Sequence, residues 1–408
     1  MSEIFIVGVG MTKFGPNPMM SVKDMTREAV QEALVDAGAQ MSDIGAAFFT
    51  TATQSHLEGQ YAVPGQMALR SMGFSKIPMV NVENACASGS SALHLAVAYL
   101  KAGMTDIALA VGVEKMVIED KQKVMDLFTG GMDVHNREET FANLMKLAEG
   151  IEAPDGGGHR TAFMDIYASF ARTHMKAYGT TQRQMAVAAA KNHYHSTLNP
   201  KCHFQMDMSV EEVLAGRPLG YPLTVPMCSP LSDGGAAIVV CSREGLKRLR
   251  SDRAVKVMAS ILVTGSDRGP DDWGAHITRR AALLAYETAG IGPDDISVAE
   301  VHDASSIGEI VQTENLGFCK LGEGGVLAES GATRLGGRIP VNPSGGLVSK
   351  GHPIGATGLA QLYELTTQLR NEAGKRQVPG ARFAVAENGG GLYGIEEACA
   401  CITILGRT

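Results

Sequence analysis

The chain has 408 residues, and 36 Lys and Arg against 43 Asp and Glu leave a formal charge of −7, which excludes nucleic-acid binding as its main business. A hydrophobic share of 45% with only 19% charged residues excludes disorder, and the length predicts two or three packed units. Seven cysteines without C-x-x-C spacing argue against a disulfide framework or a zinc ribbon, and no run approaches 18 uncharged apolar residues. The first residues carry an acid and a strand-like run where a leader would be basic, so the expectation is a reduced, cytoplasmic protein with no metal, membrane or nucleic-acid partner.

Ser21 to Gly38 reads as an amphipathic helix, with Val22, Met25, Ala29, Val30, Ala33 and Leu34 at helical spacing. Ser21 and Asp24 form a capping-box pattern, and Gly38 supplies a left-handed stop. The apolar run 44–49 predicts a buried strand. A strand at 78–82, a small-residue turn holding Cys86 and an apolar helix at 90–100 follow, then a strand at 106–114. Residues from about 118 to about 228 are Met-rich, charged and helical, and read as an inserted loop domain over the sheet ends, where α/β proteins bind ligands.

The order then recurs. Residues 32–49 line up with AYETAGIGPDDISVAEV at a constant offset of 252, which puts Ala37-Gly38 on Ala289-Gly290 and Asp43-Ile44 on Asp295-Ile296. This predicts a duplicated chain, with an N-terminal half at 1–252 and a C-terminal half at 253–408. The alternation of short apolar strands and helices predicts parallel sheets covered on both faces.

Four strand ends carry candidate chemistry. Cys86 precedes a helix whose N–H groups and dipole would favour a thiolate, although a free Cys is more often a small core residue. His352, in GHPIGATG, would sit in a tight turn from which an imidazole accepts a thiol proton. His302 closes the predicted strand SVAEVHD as a donor or second acid–base group. Glu387 ends the strand before three glycines, whose backbone N–H groups could approach a substrate oxygen. A capping pair and a Gly-rich hairpin are the structural alternatives for the last two. In the duplicated reading all four converge on one crevice, which suits acyl transfer through a cysteine thioester.

NACASGSSA around Cys86, VGVEKM at 111–116, SPLSDGGAA at 229–237, EVHDAS at 300–305 and GHPIGATG at 351–358 resemble the thiolase superfamily. KAYGTTQRQMAVAAAKNHYHSTLNP at 176–200 is similar to the loop domain of its sterol-carrier-protein branch. The resemblance implies a five-layered αβαβα fold, a homodimer or dimer of dimers, and a coenzyme A thioester substrate, with coenzyme A as co-substrate and no tightly bound cofactor. It casts Cys86 as the nucleophile, His352 as its base and His302 as part of the enolate hole. The backbone N–H groups of Cys86 and Gly389 become the acyl oxyanion hole, and Ser229 meets the pantetheine arm. A small zinc-containing OB-fold partner subunit is also implied.

Two positions depart from the family. Glu387 stands where thiolases place the Cys of C-x-G-G-G, and Ala304 where the sterol-carrier branch often has Cys after His-Asp. Glu387 is therefore expected to take over proton transfer, and the altered pocket to suit a branched or aromatic acyl group such as that of benzoylsuccinyl-CoA. A Cys-His-His condensing enzyme or C-acyltransferase, and a non-catalytic coenzyme A-binding subunit, are the rival readings.

Overall fold

The computed structural model describes residues 3–152 and 161–408, so residues 153–160 of the expected insert lie outside it. Eleven strands form: β1 (Ile4–Met11), β2 (Ala46–Thr50), β3 (Met79–Val82), β4 (Ile107–Glu114), the small hairpin β5 (Pro218–Gly220) and β6 (Leu223–Thr224), β7 (Gly234–Ser242), β8 (Val255–Thr264), β9 (Val298–Glu300), β10 (Phe383–Gly390) and β11 (Cys399–Arg407). All but the hairpin join one sheet in the order β3-β2-β4-β7-β1-β8-β11-β10-β9. The order on the two sides of the β1–β8 seam is mirrored, and Val341 bridges Ala299 where β3 pairs β2 in the first half. The seam itself is short, Ile4–Ile6 against Val255–Val257.

Three apolar clusters stack the layers. Strand side chains alternate between faces. Phe5, Val7, Leu109 and Val239 pack on the helix Val22–Ala37, while Ile4, Ile6, Ala108 and Ile238 turn the other way. There they meet the helices Ser88–Lys101 and Thr357–Leu369, which also pack on Val257, Ala384 and Leu405 of the second half. The far side of that half, with Val385, Ile402 and Ile404, is covered by the helix Ile277–Ala289. The result is the αβαβα stack. Both outer helices end on a left-handed glycine, Gly38 at φ 63° and Gly290 at φ 70°, as the repeat requires.

The sheet is mixed, which corrects the expectation of parallel sheets. β2 pairs β3 and β4 in parallel and β9 pairs β10 in parallel, but β7 runs antiparallel to both β1 and β4, and β11 to both β8 and β10. The direct turn from β10 to β11 makes that pair antiparallel, and β7 takes the corresponding antiparallel place beside β4 in the first half, although the insert separates the two in sequence. The insert between β4 and β7 is helical as expected, with Lys121–Phe128, Arg137–Leu147, Ala162–Tyr178, Gln182–Ser196 and Val210–Leu214. Among the described residues, no helix is long and apolar enough to cross a membrane.

The two halves touch most closely through backbone. A Cβ on Gly112, in β4, would lie 2.1 Å from the carbonyl oxygen of Gly355 in the histidine turn, and one on Gly390 would lie 2.2 Å from that of Asn84 beside Cys86. Gly112→Ala is therefore expected to cost about 1–3 kcal/mol by overpacking against a backbone that cannot yield. The test is a thermal melt, in which an unchanged midpoint would contradict the packing argument.

Candidate active site

Cys86 occupies the 3-10 turn Ala85–Ala87, directly ahead of the helix Ser88–Lys101. Ala85 holds φ 47°, a left-handed conformation that costs a non-glycine residue about 1–2 kcal/mol. The turn is pinned by Ser88, whose hydroxyl donates to Ala85 O at 2.6 Å and accepts from Asn84 N at 2.8 Å. Opposite it, Gly355 of the histidine turn donates its N–H to Glu114 at 2.8 Å. The Glu114 carboxylate, at the end of β4, also accepts from Ala52 N, Thr53 N and the hydroxyls of Thr51 and Thr53. One buried carboxylate thus fixes the second half's turn to the first half's sheet.

The outcome is a distance of 3.3 Å between His352 Nε2 and Cys86 Sγ. His352 Nδ1 lies 2.6 Å from Thr357 Oγ1, and that hydroxyl donates its own hydrogen to Pro353 O at 3.0 Å. The Thr357 oxygen must then accept, so the network assigns the imidazole proton to Nδ1 and leaves the Nε2 lone pair facing the thiol. Burial, with His302 and Lys350 nearby, pushes the imidazole well below its usual range, so it is neutral at rest.

Cys86 is half-buried and opens onto a cavity, not bulk solvent. Burial pushes its thiol up to about 12, with Cys399, Glu114 and Glu83 adding to the shift. The direction is opposite to the lowering expected from the helix end. Enclosure outweighs the terminal N–H groups, and the resting pair is thiol and neutral imidazole.

His302 completes the cluster. Its ring meets that of His352 edge-on with centroids 5.2 Å apart, and ligand atoms of Cys86, His302 and His352 all lie within 4.8 Å of one another. Burial lowers His302 to about 4, and its Nε2 is enclosed with no hydrogen-bond partner among the described residues. The residue lies past the end of β9, not within the strand as expected. Asp303 turns the chain there, accepting from Leu347 N at 2.6 Å and from Asn192 Nδ2 at 2.8 Å.

Glu387 is where the structure departs most from expectation. Alternation along β10 sends Ala384 and Ala386 toward the central helices and Val385 toward the outer layer, and Glu387 falls in step with Val385. Its carboxylate accepts from His302 N at 2.9 Å, lies beside Thr278 of the outer helix, and is fully buried. It is not among the residues that line the cavities at Cys86, so the structure brings Cys86, His302 and His352 together and leaves the Glu387 carboxylate behind them.

Cavities open on either side of the sulfur. A wide channel of about 1070 Å³ is lined by Cys86, His352, Ser229, Ala304 and two arginines of the insert, Arg137 and Arg217. An inner cavity is lined by Cys86, Tyr167, His302, Gly389 and Glu397. Ser229 lines the channel and Gly389 the inner cavity. Glu114 and Thr357 fall inside VGVEKM and GHPIGATG without being assigned a role there; Tyr167 and Glu397 carry no signal in the sequence that sets them apart from an ordinary amphipathic face and acidic turn.

The family descriptions "Thiolase, N-terminal domain" and "Thiolase C-terminal domain-like" match residues 4–212 and 266–407. The chain belongs to the thiolase family. It is 39% identical to rabbit (Oryctolagus cuniculus) sterol carrier protein 2 over 95% of this chain and 69% of that protein. It is 38% identical to the acetyl-CoA acetyltransferase of Methanothermobacter thermautotrophicus over 97% of this chain and 98% of the relative. Identity is 34% to the benzoylsuccinyl-CoA thiolase subunit BbsB of Thauera aromatica, over 95% of each chain. The solved structure of an Ltp2-ChsH2(DUF35) aldolase shares the fold, with TM-score 0.77 at 23% identity over 99% of this chain and 98% of that one. This thiolase-family chain is accordingly an acyltransferase enzyme.

Thr357→Val removes the acceptor that fixes the imidazole proton, and is expected to slow alkylation of Cys86 by iodoacetamide about 10-fold, the usual scale for an orienting partner. An unchanged rate would mean that the tautomer is set elsewhere. Glu387 gives a pH signature. Burial and then Glu397 raise it from 4.5 to about 8. Between these values the unfolded chain is ionised while the folded chain keeps the proton, so native stability falls as pH rises through that window. Glu387→Gln abolishes the loss: equal to wild type near pH 4, it should be more stable by on the order of 3–5 kcal/mol near pH 8. Melts across the range would show the gap widening with pH, whereas a constant gap would argue against a buried neutral carboxyl.

Proposed function

We propose that the chain cleaves or forms 3-oxoacyl-coenzyme A esters through an acyl thioester on Cys86. The observation that carries this reading is the His352 Nε2 lone pair 3.3 Å from Sγ, with its proton fixed on the other nitrogen. His352 takes the thiol proton as Sγ attacks the C3 carbonyl. Oxygen charge there is met by the backbone N–H groups of Cys86 and Gly389. The C2–C3 bond breaks, and the enolate of the departing ester (acetyl-CoA where C2 is unbranched, succinyl-CoA from benzoylsuccinyl-CoA) leaves with its oxygen toward the imidazole of His302. Coenzyme A then attacks the acyl-Cys86 thioester, and the released sulfur recovers its proton from His352. Coenzyme A is thus a co-substrate, and no tightly bound cofactor or metal enters the scheme.

The wide channel suits the coenzyme, with Ser229 on its wall for the pantetheine arm and Arg137 and Arg217 available to phosphates. The aromatic wall of the inner cavity (Phe163, Tyr167, Phe170) and the small Ala304 favour a branched or aromatic acyl group. Benzoylsuccinyl-CoA is the example that the Thauera aromatica relative supports. The Cys-His-His cluster also fits a decarboxylating condensing enzyme or C-acyltransferase, which would consume malonyl-CoA and leave 3-oxoacyl-CoA esters intact. We place the enzyme in the cytoplasm, on its seven free cysteines. We read it as a homodimer or dimer of dimers, since β3 is an edge strand with Val80 39% exposed. A small zinc-containing OB-fold subunit is a further partner, in keeping with the DUF35 component of the aldolase.

Intact mass after mixing with a panel of 3-oxoacyl-CoA esters tests the reading. Wild type should gain the mass of one acyl group and Cys86→Ser none, while His352→Ala should load at least about 100-fold more slowly. An adduct on Cys86→Ser would remove Cys86 from the mechanism.

A further inference from the structure

The thioester reading leaves one proton without a carrier: the enolate that departs when C2–C3 breaks must be protonated at carbon, and the same carbon must be deprotonated in the reverse direction. Glu387 cannot reach it, because its carboxylate lies behind His302. The wall of the inner cavity holds three other groups with exchangeable protons beside Cys86: Tyr167, His302 and Glu397.

Glu397 sits in the turn between β10 and β11 and lines both the inner cavity and a neighbouring one that it shares with His302 and Tyr167. Its Oε1 accepts from Gln312 Nε2 at 3.2 Å, while Oε2 is enclosed with no hydrogen-bond partner among the described residues. His276 Nε2 approaches that oxygen to 3.7 Å. His276 Nδ1 accepts from Thr278 N at 3.2 Å, which assigns the imidazole proton to Nε2 and points it at Glu397. A side chain at position 389 would displace the acid, since a Cβ there would lie 2.8 Å from Glu397 Cγ and 3.3 Å from Oε1. The absent side chain of Gly389 therefore lets the carboxyl lie against the backbone assigned to the oxyanion hole.

The other two candidates fit the task less well. Burial, with Cys86 and Glu397 nearby, raises Tyr167 well above its usual range, so its hydroxyl keeps its proton. His302, lowered to about 4, is neutral and serves as a hydrogen-bond donor. Burial raises the Glu397 carboxyl above its ordinary range, and its unpartnered Oε2 leaves it free to hold or release a proton.

We propose that Glu397 is the acid–base catalyst of the carbon–carbon step, a role that rests on the thioester reading above. As the C2–C3 bond breaks, its carboxyl O–H gives a proton to C2 of the enolate and becomes a carboxylate. The carboxylate then takes the thiol proton of the incoming coenzyme A, which restores it as that thiolate attacks acyl-Cys86. In condensation the carboxylate removes the C2 proton of the bound ester.

The test is proton exchange at C2 of the departing ester, which depends only on the C2 substituent and not on the acyl group that stays on Cys86. Wild type, Glu397→Gln and Glu387→Gln are incubated with acetyl-CoA, propionyl-CoA and succinyl-CoA in D₂O, and deuterium at C2 is read by mass spectrometry. The proposal expects exchange to fall at least about 100-fold in Glu397→Gln and to stay within threefold of wild type in Glu387→Gln. Iodoacetamide labelling of Cys86 at the wild-type rate shows that Glu397→Gln keeps an intact site, and Glu397→Asp, with its carboxyl drawn back by one methylene, should exchange at an intermediate rate. Wild-type exchange in Glu397→Gln overturns the assignment and leaves the Cys86 reading standing. Failure of wild type to exchange any of the three esters overturns the Claisen reading, and the assignment with it.

Discussion

The site depends on how closely two backbone turns from opposite halves of the chain approach one another. Cys86 and His352 each stand just ahead of a central helix, and those helices pack side by side between the two parts of the sheet. A side chain at Gly112 or Gly390 would collide with carbonyl oxygen at 2.1 and 2.2 Å, so the approach is possible only with glycine. Steric permission alone does not fix a distance. Glu114 does so, by accepting the Gly355 N–H on the same carboxylate that gathers Thr51, Ala52 and Thr53. Four donors from the first half hold the acid, and the acid holds the histidine turn.

What that approach produces is an electrically quiet centre. Cys86 is pushed up to about 12 and the two histidines are pushed down, all three chiefly by enclosure. In the thioester scheme proposed above, charge would develop only as the proton crosses from Sγ to Nε2, with a substrate carbonyl ready to receive the sulfur. The Thr357–Pro353 pair makes that transfer directional by occupying Nδ1. The cost of burying an ion is thereby avoided at rest and met during reaction by the hydrogen-bond donors around the substrate.

A second buried network keeps His302 in place. Lys191 pairs with Glu309 at 3.0 Å, and Asn192 donates to both Glu309 and Asp303, so a helix of the insert is tied to the strand end behind His302. Glu300 receives Ser344 and Lys350 on the way to the histidine turn. The insert therefore does more than roof the channel. It supplies polar groups that define where the second half's active-site turns lie.

The fold and half of the site were legible in the chain because they follow from local pattern. Helical spacing, the left-handed stops at Gly38 and Gly290, and the offset of 252 between the halves are properties of neighbouring residues. The turns of Cys86 and His352 carry small-residue signatures that survive without knowledge of the partner turn. The carboxyl was not legible, since which side of β10 Glu387 faces depends on the register of the finished sheet. Residue alternation turned it toward the outer helix while an unremarkable acid, Glu397, came to line the cavity. The duplicated architecture and the separate turns of Cys86 and His352 could be read from the chain, because both are encoded in short-range spacing. The protonation states, the Thr357 relay and which carboxyl-bearing residue lines the inner cavity came from the fold, because these depend on burial and on contacts between residues far apart in the chain.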